Sequence, residues 1–389
     1  MLFLDTFLDG VGLVNMTIPR AIMILIALFL AYLAIAKKYE PLLLLPLAFG
    51  IMIANIPIAG LDAYFIYDDG RRGFMNFLYQ GISGVIYPPL IFLCIGSMTD
   101  FGPLISSPKS ALIGLGGQLG IFVAFGASLL LGNLVAPLIP GFDGFSLKEA
   151  AAIGIIGSSD GPTSIFTATR LAPDILPSIA IAAFSYMALV PFIQPPIMRL
   201  LTTEKERVVV MPAPKQVTKR QKIVFPVAAT LITLLLVPTA GALVAMLMLG
   251  NLIKESGVTE RYVRALQNDV LNVLTLLVGL SIGSSATAEH FLTPATLIIV
   301  ASGLLAFVFG TVGGILIAKL LCAATGGKVN PLIGNSGVSA MPMAARISQR
   351  MGQKYDPGNF LLMHAMGPIV SSTIGSAVIA GIFIAFFGS

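Results

Sequence analysis

The sequence predicts an all-α polytopic membrane protein built from two inverted repeats, each interrupted by a broken helix. Three observations carry that expectation. The composition is overwhelmingly apolar, apolar stretches of bilayer length recur along the chain, and two polar, glycine-rich interruptions occupy similar places in its two halves. Of 389 residues, 56% are hydrophobic and only 11% charged. Soluble domains carry about 25% charged residues, so the balance argues against a water-soluble enzyme.

Apolar stretches fall at residues 21–36, 42–58, 82–98, 110–135, 148–172, 175–198, 224–251, 270–286, 294–321, 330–349 and 358–388. A span takes roughly 17–25 residues, which gives about eleven membrane segments. The N-terminal 20 residues carry Asp5 and Asp9 and no basic leader, so they do not read as a cleaved signal peptide. Cys94 and Cys322 each lie inside an apolar run and read as small core residues rather than a disulfide. His290 and His364 share no ligand spacing, which argues against a transition-metal centre. The formal charge of +5 comes from basic residues at membrane edges and gives no reason to expect nucleic acid.

The one long polar segment runs from Arg199 through Glu204, Lys205, Glu206, Arg207, Lys215, Lys219 and Arg220 to Lys222. The positive-inside rule assigns it to the cytoplasm. The loops with Arg71-Arg72 and with Arg346, Arg350 and Lys354 would then lie on that side too, while Lys37-Lys38 and the segment 254–264 fit poorly. The expected organisation is therefore N-terminal scaffold helices at 1–78, a first repeat at 79–200, a cytoplasmic basic loop at 201–223, a connecting helix and loop at 224–265, and a second repeat at 266–389.

The repeat rests on the order of features. Ile95-Gly96-Ser97 ends one apolar run and Ile282-Gly283-Ser284 ends another. Pro108 and Pro294 open the next spans, which carry Gly116-xxx-Gly120 and Gly310-xxx-Gly314. A break follows in each, at 157–162 and at 334–342. From the third to the eighth span lies an odd number of crossings, which inverts the second copy. Inverted repeats with paired broken helices place an ion or substrate site at the midplane where the halves meet. An elevator-like movement of this core against a scaffold would give alternating access.

In the first break, Gly154-Ile-Ile-Gly-Ser-Ser-Asp160-Gly-Pro-Thr-Ser-Ile-Phe166, the acid is the only carboxylate between Glu149 and Asp174. A carboxylate at membrane depth costs about 2.5–3.5 kcal/mol on the mildest scales and marks function. Ser146 and Glu149 have capping-box spacing, so a helix is expected from Leu147. It should stop at Gly157, and Pro162 suits the first turn of a second half-helix. Asp160 would then meet orphan amide donors that favour its charged form, while burial disfavours it. Such a balance suits a group that exchanges Na⁺ for H⁺.

The second break, Asn330-Pro-Leu-Ile-Gly334-Asn335-Ser336-Gly-Val-Ser339-Ala-Met-Pro-Met-Ala-Ala-Arg346, supplies neutral oxygens from Asn335, Ser336 and Ser339 and backbone carbonyls such as that of Gly334. One carboxylate among neutral oxygens suits a monovalent hard cation better than Ca²⁺. Arg346 lies about two helical turns beyond Ser339 and could hold an anionic substrate through its bidentate fork. Alternatively, these serines permit close packing, Arg346 is a positive-inside residue, and Tyr186 is core. A secondary transporter, either a Na⁺/H⁺ antiporter or a Na⁺-coupled anion symporter, would show the same physical features.

Together, 154–166, the run Ser185-Tyr186-Met-Ala-Leu-Val-Pro-Phe-Ile-Gln-Pro-Pro196, Thr202-Thr-Glu-Lys-Glu-Arg207 and 330–346 resemble the β subunit of biotin-dependent, sodium-translocating decarboxylases. These act on oxaloacetate, methylmalonyl-CoA or glutaconyl-CoA. The resemblance runs from about Tyr79 to the C-terminus. It implies a translocase in the cytoplasmic membrane of a bacterium or archaeon, the inner membrane where there are two. It also implies a carboxyltransferase α subunit, a biotin carrier, a small γ or δ membrane subunit and a β homotrimer. Carboxybiotin would be decarboxylated at this subunit while Na⁺ is exported and a proton consumed. Asp160 matches the family's intramembrane Na⁺ ligand and coupling group. Tyr186, Asn330, Gly334, Ser339 and Arg346 match other functional positions: Ser339 and Tyr186 in ion or proton passage, Arg346 and Asn330 towards carboxybiotin. One departure stands out. In His364-Ala-Met-Gly-Pro-Ile369-Val the family often has Asn where this chain has Ile369, which brings no oxygen; Ser371, Ser372 and Thr373 lie close enough in sequence to compensate.

Overall fold

The computed structural model describes residues 11–388, and most of them are helical. The only β feature among the described residues is an isolated bridge between Ile66 and Arg72. Asp5 and Asp9, on which the leader argument rests, lie outside the described residues. The chain is an all-α polytopic membrane protein.

The first half opens with α1 (Ile18–Ala36) and α2 (Pro41–Ala54). A pair bent by 64° follows, α3 (Phe74–Ser83) and α4 (Tyr87–Met98). In the next span α5 (Ala111–Gly117) passes into α6 (Leu119–Val135) at Gln118. The first break lies between α7 (Leu147–Gly154) and α8 (Gly161–Leu171), and α9 (Leu176–Leu201) completes the half. The second half runs in the same order: α10 (Lys219–Leu236), α11 (Gly241–Ser256), α12 (Leu271–Ser285) and α13 (Pro294–Ala324). A tight turn, Pro331–Gly337, then leads to α14 (Met343–Tyr355) and α15 (Leu362–Phe387).

Among the described residues, five helices are long and apolar enough to cross a membrane, and counting each bent pair as one span raises the number to seven. The difference from the eleven apolar stretches has physical causes. The stretches 148–172 and 330–349 are interrupted by their breaks. The stretch 224–251 is two helices, α10 and α11, separated by a turn at Pro238–Ala240.

Packing between the halves is reciprocal. Helix α2 packs along α12, and its counterpart α11 packs along α4. Helix α9 lies on α13, and α15 lies on α5. The repeated Ile-Gly-Ser runs sit at the first two of these crossings. A Cβ on Gly96 would stand 1.9 Å from the Leu247 carbonyl oxygen, and one on Gly283 would stand 2.2 Å from that of Leu47. Apolar contact adds little drive between helices in lipid, so close backbone approach through small residues carries the association. Helices from the segments expected as scaffold and connector enter this pattern directly: α1 packs on α2 as α10 packs on α11.

Side-chain contacts sort the loops onto two faces. Lys222 pairs with Asp100 at 2.9 Å and Glu255 at 3.9 Å, while Lys254 donates to the Met98 and Thr99 carbonyls. The start of the 254–264 segment therefore shares a face with the basic loop, which removes its poor fit. Burial works against the Asp100 carboxylate, yet hydrogen bonds from Lys222 and the Gly102 amide hold its pKa below the usual value. The Arg71-Arg72 loop lies opposite, contrary to expectation. Ala63 N–H bonds the Ser284 carbonyl at 2.9 Å, at the end of α12 remote from Gln267, and Gln267 reaches Ser97 on the Lys222 face. Arg71 there pairs with Asp69 within its own turn at 2.6 Å.

The basic loop is partly built. Thr203 and Glu206 form a capping box for a short helical turn. Arg207 is buried: it donates to Thr202, to the Arg199 carbonyl and to Tyr355, whose ring also lies under its guanidinium. Burial opposes the Glu206 carboxylate, but hydrogen bonds from Thr203 and the charge of Lys319, 3.4 Å away, together lower its pKa.

Candidate functional site

The two breaks enter the protein from opposite faces, and their tips meet. The first starts and ends on the Arg71 face, where Ser178 just beyond it bonds Thr296 at 2.7 Å near the start of α13. The second starts and ends on the Lys222 face, where Asn330 and Tyr355 both contact the Arg207 segment. At the meeting point the Ser339 N–H donates to the Ser158 carbonyl at 2.8 Å.

Local sequence explains each tip. Ser146 and Glu149 form the expected capping box, and α7 runs only to Gly154 before tightening into a turn at Ile155–Ser158. Ser159 adopts a left-handed backbone (φ 57°) that reverses the chain. Asp160 then caps α8, its Oδ1 accepting the Thr163 N–H at 3.2 Å. It is a helix cap, but a buried one at 5% exposure. The glycines let the breaks press on the crossing of α6 and α13. A Cβ on Gly157 would meet the Gly120 carbonyl carbon at 2.3 Å, and one on Gly337 would meet the Ile113 carbonyl oxygen at 2.6 Å.

Both tips hand a side chain to one face of α15. The Ser376 hydroxyl donates to Asp160 Oδ2 at 3.0 Å. The Ser339 hydroxyl donates to Ser372 Oγ, also at 3.0 Å. Ser372 and Ser376 are four residues apart and so neighbours on the helix surface. Gln118, from the α5–α6 junction, adds its amide nitrogen to Ser372 Oγ at 2.9 Å. The result is one carboxylate among neutral hydroxyl, amide and carbonyl oxygens, buried inside apolar helices. Such a set fits a monovalent hard cation, and the carboxylate can alternatively take a proton. Of the alternatives to an oxygen from Ile369, Ser372 lies in this group. Ser371 bonds the Ala111 carbonyl at 3.1 Å, and Thr373 bonds the carbonyl of Ile369 itself at 3.0 Å.

The other expected residues lie elsewhere. Asn335 donates to Gln194 Oε1 and the Ala344 carbonyl, each at 2.9 Å, and accepts from Ser348 and Ser336. Both Asn335 and Ser336 thus belong to a separate network holding the second break to α9 and α14. Gly334 presses on α13, where its own Cβ would lie 2.4 Å from the Ile315 Cα and its carbonyl faces Gly314. Neither the Asn335 side chain nor the Gly334 carbonyl is turned to Asp160. Their chemistry is that of oxygen ligands, but the tight turn Pro331–Gly337 commits them to packing. Asn330 caps that turn, accepting from the Leu332 N–H, and donates to the Arg207 and Val209 carbonyls. The Tyr186 hydroxyl donates to the Val300 carbonyl, and its ring lies against Gly303 beside Ile156 of the first break. Arg346 is exposed in the first turn of α14. It acts on Glu40, whose carboxyl burial pushes up and the guanidinium draws back.

Ser376 and Gln118 are not among the residues the motifs point to. Ser376 sits in a smooth helix and meets Asp160 across 216 residues. Gln118 did carry a signal, as a polar side chain inside the Gly116-Gly-Gln-Leu-Gly120 run.

Comparison with known proteins matches residues 19–387 to the family of the Na⁺-transporting oxaloacetate decarboxylase beta subunit. The chain is 50% identical to the methylmalonyl-CoA decarboxylase subunit beta of Veillonella parvula, over 99% of this chain and 98% of that one. It is 48% identical to the glutaconyl-CoA decarboxylase subunit beta of Acidaminococcus fermentans, with the same coverage. Against oxaloacetate decarboxylase beta chain 2 of Salmonella typhi the identity is 43%, over 98% of both.

Proposed function

This chain belongs to the family of β subunits of Na⁺-transporting decarboxylases, and from that premise we propose that it decarboxylates carboxybiotin and uses Asp160 to couple the reaction to Na⁺ export. Its coarser role follows from membership: it is the multi-pass membrane subunit of a multi-subunit decarboxylase whose reaction is coupled to Na⁺ transport. The observation that carries the finer reading is the contact of both break tips with α15, Asp160 through Ser376 and Ser339 through Ser372.

In this reading a partner carboxyltransferase loads biotin on a carrier subunit, and a small γ or δ subunit and a β homotrimer complete the assembly. Na⁺ enters from the face with the basic loop, taken as cytoplasmic, and binds the Asp160 carboxylate with hydroxyl and carbonyl oxygens around it. At the carrier, the bond between the ureido nitrogen and the carboxylate breaks, CO₂ leaves and the nitrogen takes a proton. The exposed guanidinium of Arg346 suits it to hold the leaving carboxylate until that step. Asn330 has both polar groups of its side chain engaged, which favours a role in fixing the loop after Arg207 over contact with biotin. Tyr186 seats α9 on α13 beside the first break. A proton arriving at Asp160 from the opposite face displaces Na⁺. Reciprocal packing of the halves supports an inverted repeat, and two breaks open to opposite faces suit elevator-like alternation.

Asp160→Asn tests the proposal in the assembled complex. It should abolish decarboxylation of carboxybiotin while leaving carboxyl transfer to biotin by the partner subunit intact. Full retention of decarboxylation would overturn the role given to Asp160. A biotinylated protein should copurify with this chain, and a consistent failure to recover one would favour a stand-alone transporter.

A further inference from the structure

We propose that Gln118 is a Na⁺ ligand in this chain and a determinant of its ion preference, acting through its side-chain oxygen. The inference rests on the reading of the Asp160 region as the Na⁺ site. Gln118 is 3% exposed, at the junction of α5 and α6 where the helix crosses α15. Its nitrogen lies 3.2 Å from the Ser372 carbonyl, 3.3 Å from the Gly114 carbonyl and 2.9 Å from Ser372 Oγ. Two of those partners are carbonyls, which only accept, so the NH₂ end must face them. That fixes Oε1 on the other side of the amide, where it is buried without a hydrogen-bond partner.

A buried amide oxygen left without a donor is rare in native proteins and calls for an occupant. The surroundings identify its class. Ser372, which receives the Gln118 nitrogen, also receives the Ser339 hydroxyl from the second break. One turn further along α15, Ser376 holds the Asp160 carboxylate. Gly375 between them leaves room for the amide, since a Cβ there would sit 3.3 Å from Gln118 Nε2. One turn before Ser372, Ile369 is fully buried and brings no side-chain oxygen. Besides the hydroxyls of Ser372 and Ser376, Gln118 brings an unpartnered neutral oxygen to this side of the cluster from another helix. A carboxamide oxygen is a hard, neutral donor of the kind alkali cations accept. Being neutral, it also adds no charge to a site that must release its ion.

The test uses the purified decarboxylase complex with Gln118→Leu, reading the Na⁺ concentration for half-maximal decarboxylation and the ratio of Li⁺- to Na⁺-stimulated rates. Half-saturation should rise about tenfold or more, as loss of a metal-site partner predicts. The Li⁺/Na⁺ ratio should shift. A merely structural role would lower the rate at all Na⁺ concentrations and leave both quantities unmoved, which would overturn the proposal. If Gln118→Leu does not assemble, Gln118→Glu should assemble and shift the Li⁺/Na⁺ ratio; an unchanged ratio would overturn the proposal equally. Asp160→Asn run in parallel separates the two claims. Its loss of decarboxylation with unchanged ion dependence in the Gln118 variants would sink the ligand assignment alone.

Discussion

The two breaks look alike in sequence and differ in how they are held. The first presents a single carboxylate secured by one backbone amide and one hydroxyl from a distant helix. The second presents no charge at its tip and is tied throughout. Asn330 binds the Arg207 segment, Asn335 binds Gln194, Ala344 and Ser348, and Ser339 binds Ser158 and Ser372. Sparse neutral partners around a buried carboxylate leave room for an ion. A saturated neutral network instead fixes geometry, and here it runs from the tip to the basic face. Under the proposed function, the first break supplies the ligand and the second the frame that connects it with the side where carboxybiotin would dock.

Asp160→Asn against Asn335→Ala separates the two roles most widely. The former should lower Na⁺ uptake by at least about a hundredfold, beyond what loss of a supporting group causes. The latter should mainly lower the thermal midpoint of the complex, and equal losses of uptake per folded molecule would erase the distinction. Arg207→Ala comes next, because it removes the donor that the Tyr355 hydroxyl and the Arg199 carbonyl accept from. Unsatisfied buried groups cost about 1–3 kcal/mol each, so thermal unfolding should show a large loss, with Na⁺ half-saturation in the surviving protein nearly unchanged.

Ser376→Ala should do the reverse. Removing a hydrogen bond to a charged group costs about 1.5–3 kcal/mol, so Na⁺ half-saturation should move by about tenfold while the thermal midpoint barely moves. The smallest effect belongs to Glu206→Ala on the basic loop. The folded-state pKa of Glu206 is lowered, so its contribution to stability is present above the ordinary carboxylate range and lost as pH falls through it. The midpoint difference from wild type should be greatest near neutral pH and close in acid. A difference independent of pH would point to packing instead.

What the sequence made legible follows its local punctuation. Asp160, the capping box at Ser146 and the Ile-Gly-Ser pairs all depend on residues adjacent in the chain, and the structure gives each a place. The span count was less legible because apolar composition cannot tell a continuous helix from one reversed at Ser159 or divided at Pro238. The face of the Arg71 loop was misjudged because it is set by a contact between distant segments, Ala63 with Ser284, that the run of arginines does not show. Ser376 and Gln118 were hidden for a different reason. Their partners lie 216 and 254 residues away, and nothing periodic in a smooth apolar helix says which serine will face a carboxylate.

The claim that one carboxylate couples chemistry to transport is tested most directly in vesicles holding the assembled complex, by following Na⁺ uptake and CO₂ release together for wild type and Asp160→Asn. The account predicts that both signals vanish together in the variant. Continued CO₂ release, with or without Na⁺ uptake, would contradict it.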